Sequence, residues 1–81
     1  MISTLHVNIK AKDRIIYEGD VTAVTSFNDI GLFDILPLHE NFISIVKNKV
    51  ILHKNDAQKE FKIEAGVLKV RDNKVNIYIG H

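Results

Sequence analysis

Cysteine and tryptophan are absent from this chain, and proline and glycine are scarce, with one and four residues respectively. Without cysteine the fold has neither disulfides nor thiolate metal ligands, which favours a reducing compartment and stabilisation by packing or by a partner. The scattered glycines form no glycine-rich phosphate loop and no Gly-x-Ser-x-Gly nucleophile elbow. These absences exclude the commonest signatures of nucleotide binding and of serine-based hydrolysis.

An excess of charge is also missing, because 11 basic residues face 10 acidic ones and the net charge is +1. Such a chain has no long-range field to attract nucleic acid or anionic lipid. No apolar run approaches the ~20 residues that cross a bilayer, and the first residues alternate instead of forming the apolar core of a signal peptide. We therefore expect a cytoplasmic protein with no membrane span and no nucleic-acid partner.

The chain does contain apolar and polar residues in alternation along several segments. In the first of these, Leu5, Val7 and Ile9 fall on one side and polar residues on the other. A period of two is typical of a strand with one wet face. Similar segments follow at residues 14–17, 21–26, 61–65 and 75–79, and residues 41–46 are short enough to favour a strand over a helical turn.

Turn signals separate these segments about every 8–12 residues. A turn is predicted at residues 18–20, and hairpins at 54–56 and 72–74, where Asn and Asp tolerate a left-handed backbone. No helix is predicted. The pattern indicates an all-β fold, a flattened antiparallel β-sandwich or barrel of about eight to ten short strands. Its 81 residues can bury only one core, so residues 1–81 are predicted to form a single domain.

Groups with the spacing of a catalytic or metal site are hard to find. The four histidines show no short ligand spacing. Two carboxylate pairs, Glu18 with Asp20 and Asp29 with Asp34, are interpreted as solvated turn residues and not as an acid and base. A lysine-rich stretch at residues 47–54 has no interleaved aromatic residues and is interpreted as a guarded strand edge. The sequence predicts no catalytic residue, no cofactor and no metal.

One apolar segment, residues 29–41, breaks the alternation. Pro37 cannot donate to a sheet ladder and biases Leu36 toward an extended conformation, so the chain is expected to leave the sheet there. Leu32 and Phe33 would then lie in an exposed connection, together with Ile30. An alternative is that Leu32 and Phe33 only cap one end of the core.

The sequence GLFDILPLH occupies residues 31–39 of this segment. It is similar to the Gly-x-apolar-Gly-apolar-apolar-Pro-Gly-His motif of the F-type ATP synthase epsilon subunit, called delta in mitochondria. The LHVNI and IYEGDV segments at 5–9 and 16–21, and AGVLKV at 65–70, also resemble that family's N-terminal β-sandwich. The resemblance covers essentially the whole chain, in register.

This resemblance implies a non-catalytic rotor subunit at the foot of the central stalk, within a complex that also holds the alpha and beta subunits. Such a subunit couples proton or sodium translocation to ATP synthesis. The implied c-ring contacts are Gly31, Leu32 and Phe33. The implied gamma-subunit contacts are His39, Ser44 and Lys10, although a turn histidine can simply bind nearby backbone. The implied location is the cytoplasmic face of a bacterial membrane, held there peripherally.

Some positions depart from the family pattern. Asp34, Leu38 and Ala65 stand where the family usually has glycine, and Asn41 where it usually has proline. The family's C-terminal helices, which can inhibit hydrolysis and in some members bind ATP, have no counterpart after Ile79. Either a naturally short subunit or an excised domain is consistent with this. The alternative function is a stand-alone β-sandwich adaptor, and a neighbouring gene for an ATP synthase beta subunit would distinguish the two.

Overall fold

The computed structural model describes residues 4–80, and these residues form seven strands and no helix. The strands are β1 (Leu5–Lys10), β2 (Ile15–Val21), β3 (Ala23–Phe27), β4 (Leu32–Ile35), β5 (Phe42–Lys54), β6 (Ala57–Arg71) and β7 (Lys74–Ile79). The all-β prediction is confirmed. The predicted count of eight to ten strands was too high, because β5 and β6 run unbroken for 13 and 15 residues where shorter strands were expected.

The strands form one continuous sheet in the order β2-β1-β7-β6-β5-β3-β4, folded over into two layers. The β5–β6 pairing shifts register between Lys47 and Asn48, where Asn48 has a φ of 73°. A register shift of this kind bends and twists the strands locally. The first layer contains β2, β1, β7, the second half of β6 and the first half of β5. The second layer contains the remaining halves of β6 and β5, with β3 and β4.

One pairing departs from the predicted antiparallel arrangement, because β1 and β7 run parallel. Their register aligns His6 with Lys74 and Lys10 with Tyr78. Both strands have antiparallel neighbours on their other sides, β2 and β6 respectively. The first and last strands are therefore neighbours in the middle of the first layer.

The turn predicted at residues 18–20 was wrong, because β2 continues through it. Gly19 pairs with Val7 in the β1–β2 ladder. A Cβ at Gly19 would lie 3.0 Å from the Tyr17 hydroxyl oxygen, so a larger residue would displace the end of that side chain. The chain bends at Thr22 instead, whose backbone N–H donates to the His53 carbonyl at 2.7 Å.

Both predicted hairpins are present. Asn55 begins the β5–β6 turn with a φ of 54°, and Asp72 and Asn73 between β6 and β7 have φ values of 52° and 62°. Two successive residues of positive φ are the requirement of a type I′ turn, whose twist matches that of the strands it joins. The prediction from Asn and Asp at these positions is confirmed.

The core lies between the layers and consists of aliphatic side chains at alternating positions. Its most buried members are Leu5, Val7, Ile9, Val21, Val24, Ile35, Val46, Val50, Leu52, Leu68, Val70, Val75 and Ile77. Every one of the three apolar residues predicted to face inward from β1 is in this set. Alternation thus identified the covered side of the strands correctly.

Candidate functional site

A tight loop joins β3 to β4 at residues 28–31 and projects one isoleucine into solvent. The backbones of Asn28 and Gly31 exchange two hydrogen bonds, at 3.0 and 3.1 Å. The Asn28 side-chain oxygen accepts from the backbone N–H of Ile30 at 2.9 Å, which is an Asx-turn. Gly31 has a φ of 143°, which other residues rarely adopt. The loop therefore has a defined shape, and Ile30 at its tip is 96% exposed.

The next two residues separate the two interpretations of the apolar segment. Leu32 is exposed, as the interpretation of an exposed connection requires. Phe33 instead packs against the core and lies 5.5 Å, between ring centroids, from Phe42. The expected connection is wrong for both residues, because they belong to β4; Leu32 is nevertheless exposed, whereas Phe33 packs against the core as the alternative expected.

A β-turn after β4 carries Pro37 and a strained leucine. The His39 backbone N–H donates to the Leu36 carbonyl at 3.2 Å, and Leu38 has a φ of 68°. Proline followed by a residue of positive φ is the pattern of a type II turn, in which glycine is preferred at the position of Leu38. Leu38 is also 71% exposed. The departure from glycine noted in the sequence therefore falls on a position that favours glycine.

His39 contacts the same aromatic ring as Phe33 does. Its ring lies 5.6 Å from that of Phe42, edge to face, and its Nδ1 is 2.8 Å from the Glu40 carbonyl oxygen. The predicted site residues Phe33 and His39 are thus brought together through Phe42. The local backbone contact of His39 is the one expected of a turn histidine.

The outer side of the first layer carries an exposed apolar face, which we define as Ile43, Ile45, Val67 and Tyr78. The ladder pairs Ile45 with Val67 and Val67 with Tyr78, so these three form a row across β5, β6 and β7. Ile45 is 71% exposed. Beside the row is a shallow hollow of about 420 Å³, whose lining is almost entirely apolar.

Of the remaining predicted residues, Lys10 borders this face and Ser44 does not lie on it. Lys10 pairs with Tyr78 and so continues the row onto β1. Ser44 pairs with buried Leu68, so its side chain is on the inner side of β5, where it accepts a hydrogen bond from the Asn28 side-chain amide at 3.3 Å. A second hollow, of about 260 Å³, is lined by Ile30 and Ile45 together with Asn28, Asp29 and Ser44. The loop and the apolar face are therefore one connected surface.

Most of this surface was missed by sequence reasoning, which named no residue of the apolar face. A signal was available in residues 42–46, FISIV, where apolar residues occupy both sides of the strand. Strands that are apolar on both sides are typical of sheets covered on both faces. Ile30 was expected to be exposed but was not among the predicted contacts.

The carboxylates considered for catalysis take up separate structural roles. Glu18 and Asp20 flank His6, with their oxygens 3.1 and 2.9 Å from its two ring nitrogens. These hydrogen bonds, chiefly the one with Asp20, raise the pKa of His6 above its usual value. Asp29 pairs with Lys47 at 3.0 Å, and Asp34 accepts a hydrogen bond from Thr25. Asp29 and Asp34 do not form a pair with each other.

Residues 4–80 also offer neither a metal centre nor a membrane-spanning helix. That part of the chain contains no group of three or more His, Cys, Asp or Glu side chains placed to hold a metal ion. Nor does it contain a helix with the length and hydropathy to cross a bilayer. The surface that stands out is the apolar one, and its chemistry is that of protein contact.

The sequence matches a known family whose domain is also a β-sandwich. The profile of the ATP synthase delta/epsilon chain β-sandwich domain matches residues 4–80. The chain belongs to this family. Among similar proteins is an ATP synthase epsilon chain from Leptospira borgpetersenii, 30% identical over 78 residues that are 95% of this chain and 61% of the relative. One from Xanthomonas euvesicatoria is 29% identical over 80 residues, which are 96% of this chain and 57% of the relative. The chain thus spans about three fifths of the length of these relatives.

Two solved structures of ATP synthases contain a chain with the same fold. A chain in the Euglena gracilis mitochondrial ATP synthase structure, which covers OSCP, F1 and the c-ring, superposes with a TM-score of 0.89 at 18% identity over 98% of this chain and 52% of that one. A chain in the central stalk and c-ring structure from Tetrahymena thermophila gives a TM-score of 0.78 at 12% identity, over 95% of this chain and 63% of that one. At these identities the match concerns the fold.

Proposed function

We propose that this domain is a rotor component of an F-type ATP synthase, seated in the central stalk between the gamma subunit and the c-ring. The observation that carries the proposal is the connected apolar surface, which extends from Ile30 at the loop tip to Ile45 and Tyr78 on the first layer. Surfaces of this kind on small domains usually mark protein contacts. In this role the domain transmits torque and performs no bond chemistry.

The loop is the proposed contact with the c-ring, through Gly31, Leu32 and Phe33. Leu32 and the neighbouring Ile30 supply exposed apolar atoms, and the φ of Gly31 sets the loop shape that presents them. Phe33 acts from beneath, because its ring is packed against the core. In this proposal Leu32 makes the contact, and the buried ring of Phe33 anchors the strand that carries it.

The apolar face is the proposed seat of the gamma subunit, with Lys10 at its margin and with His39 and Ser44 as further proposed contacts near the start of β5. Lys10 extends the row of Ile45, Val67 and Tyr78 with a charge. A polar rim around an apolar centre is the usual anatomy of a protein interface. The residues that contribute most to gamma binding are then Ile45 and Tyr78, since binding energy concentrates near the centre of an interface.

The same proposal assigns the place and form of the domain. Residues 1–81 act as one unit, held peripherally on the cytoplasmic face of a bacterial membrane by gamma and the c-ring. The core of 14 buried apolar residues supports folding as a single unit. Coupling would be to protons or to sodium ions, as the c-ring determines.

Co-purification from the native host tests the proposal. Tagged protein is extracted in mild detergent, and the accompanying proteins are identified by mass spectrometry. Recovery of ATP synthase alpha, beta, gamma and c subunits is the expected result. Recovery of the protein alone, or with unrelated partners, would replace the rotor role with that of an independent adaptor.

A further inference from the structure

The loop that presents Ile30 and Leu32 depends on a weak element. Strand β4 has only four residues, Leu32–Ile35, and it is an edge strand paired on one side to β3. Short edge strands open more readily than the interior of a sheet. A domain that uses this loop for contact therefore needs something to hold β4 in place.

The β3–β4 ladder contains two pairs of residues without mutual backbone hydrogen bonds, Phe27 with Leu32 and Thr25 with Asp34. Asn28 and Gly31 exchange both of theirs, and hydrogen-bonded pairs alternate with non-bonded ones along antiparallel strands. The bonded pairs beyond them are Ser26 with Phe33 and Val24 with Ile35. Thr25 and Asp34 are opposite each other in a non-bonded pair, where side chains approach most closely.

Side chains supply the missing connection at this point. The Thr25 hydroxyl donates to the Asp34 carboxylate, and its oxygen is 2.8 Å from the Nε2 atom of His53 on β5. A carboxylate only accepts, so the single hydroxyl proton is directed to Asp34, and Thr25 must accept from His53. The direction of these two hydrogen bonds is thus fixed: the His53 Nε2–H donates to Thr25, and Thr25 donates to Asp34. They tie together β5, β3 and β4.

The arrangement resists a catalytic interpretation. A threonine nucleophile would donate its proton to the histidine and would be open to substrate. Thr25 is only 6% exposed, and its proton is directed to Asp34. The His53 carbonyl is held in turn by the backbone N–H and the hydroxyl of Thr22, at 2.7 and 2.9 Å. The hydrogen bonds at His53 and at Asp34 therefore hold strands in place and do not activate a nucleophile.

We propose that Asp34 is a positioning residue, which through Thr25 and His53 locks the edge strand β4 and sets the loop of residues 28–31 for contact. The contact itself rests on the proposed function, whereas the lock does not. Strand β5 carries His53 at one end and Ile43 and Ile45 at the other. The lock therefore fixes the loop of residues 28–31 relative to the apolar face, because both are attached to β5.

Three variants and one control test the lock. Asp34→Ala removes the acceptor, and Thr25→Val removes the hydroxyl with the side-chain shape kept. Asp34→Asn keeps an acceptor oxygen and should rescue. Asp56→Ala removes a carboxylate from the exposed β5–β6 turn and serves as the matched control.

Two local readouts follow the lock directly. Amide exchange of Phe33 and Ile35, which face β3, should accelerate about tenfold or more in Asp34→Ala and Thr25→Val, and less than about threefold in Asp34→Asn and Asp56→Ala. Nitrogen-15 shifts of the His53 ring should show the Nε2–H tautomer in the wild type and a loss of that tautomer in Asp34→Ala, where the Thr25 proton is free to turn to His53. Unchanged exchange and an unchanged tautomer in Asp34→Ala would overturn the lock.

The third readout is retention of the c-ring in the co-purification, measured for the same variants. A loss of about tenfold for Asp34→Ala, restored by Asp34→Asn, is expected. Full retention by a variant whose β4 exchanges faster would overturn the positioning role. If the wild type itself recovers no c-ring, the proposed function fails, and the exchange and tautomer measurements still decide the lock.

Discussion

The two layers of the sandwich differ in what they show to solvent. The second layer has a polar outer side, where Thr25 is bonded to Asp34 and His53, and Lys49 pairs with Glu60 at 3.6 Å. The outer side of the first layer is polar along β1 and β2, where His6, Glu18 and Asp20 meet, but it carries the exposed apolar face across β5, β6 and β7. Polar side chains thus cover the outer side of the second layer, whereas the apolar face of the first layer is exposed to solvent. The difference indicates on which side of the domain a partner belongs.

The largest expected effect compares the two sides of the first layer at adjacent positions. Leu68 is fully buried and Val67 belongs to the apolar face. Leu68→Ala should lower the free energy of unfolding by about 2–5 kcal/mol, because it leaves a cavity in the core. Val67→Ala should change it by less than about 0.5 kcal/mol. Urea unfolding of the isolated protein measures both, and equal losses would mean that the face is not free.

A second pair of variants sharpens the division within the loop region. Phe33→Ala should lower the free energy of unfolding by about 1–3 kcal/mol, since its ring is partly buried against Phe42 and the core. Leu32→Ala should stay within about 0.5 kcal/mol of the wild type. The same urea experiment compares them. A larger loss for Leu32 than for Phe33 would reverse the assignment of anchor and contact.

The turn that carries Leu38 should be relieved by glycine. A left-handed backbone costs an ordinary residue about 1–2 kcal/mol, and part of this is offset by the greater entropy of unfolded glycine. Leu38→Gly is therefore expected to raise the stability by up to about 1 kcal/mol, whereas the β-branched Leu38→Val should lower it. Thermal unfolding of the two variants checks the sign. A stability loss in Leu38→Gly would show that the exposed leucine side chain stabilises the turn.

The smallest expected effect is a pH dependence at the β1–β2 edge. His6 is bound by Asp20 and Glu18 from β2, and Lys74 faces it from β7. Its pKa in the folded state is raised above the ordinary histidine value of 6.5 by these two carboxylates, chiefly Asp20. The resulting stabilisation is present below that value and is lost as pH rises through the raised folded-state pKa. For such an exposed cluster it amounts to less than about 1 kcal/mol.

Urea midpoints from pH 5 to pH 9 should therefore fall more steeply in the wild type than in His6→Gln. If the urea midpoint changed with pH in the same way in the two proteins, His6 would not be the source of the pH dependence. The control is His39→Gln, because His39 contacts only Phe42 and local backbone among the described residues.

What could be predicted from sequence depended on whether a pattern is local. Alternation in β1 identified its buried side, and Asn and Asp located both hairpins, because these signals act within a few residues. The turn signal at Gly19 was misleading, since this glycine lies within β2 beside the Tyr17 side chain. The long β5 and β6 strands and the parallel β1–β7 pair depend on partners distant in sequence, which no local pattern encodes.

The candidate site could be predicted only in part from the sequence, for the same reason. The motif at residues 31–39 located the loop, but the burial of Phe33 depends on Phe42, which lies on another strand. The apolar face is assembled from three strands that meet only in the folded sheet. Its residues could be recognised as apolar from sequence, but not as neighbours.

Co-purification of the Ile45→Glu variant is the most direct test of the account. A carboxylate at the centre of the apolar face should reduce recovery of the gamma subunit at least about tenfold while the isolated domain still folds, because Ile45 is exposed. Ala57→Glu, at an exposed apolar residue of β6 in the second layer, is the control and should recover gamma like the wild type. Full recovery of gamma by Ile45→Glu would contradict the claim that the uncovered side of the first layer is the stalk contact.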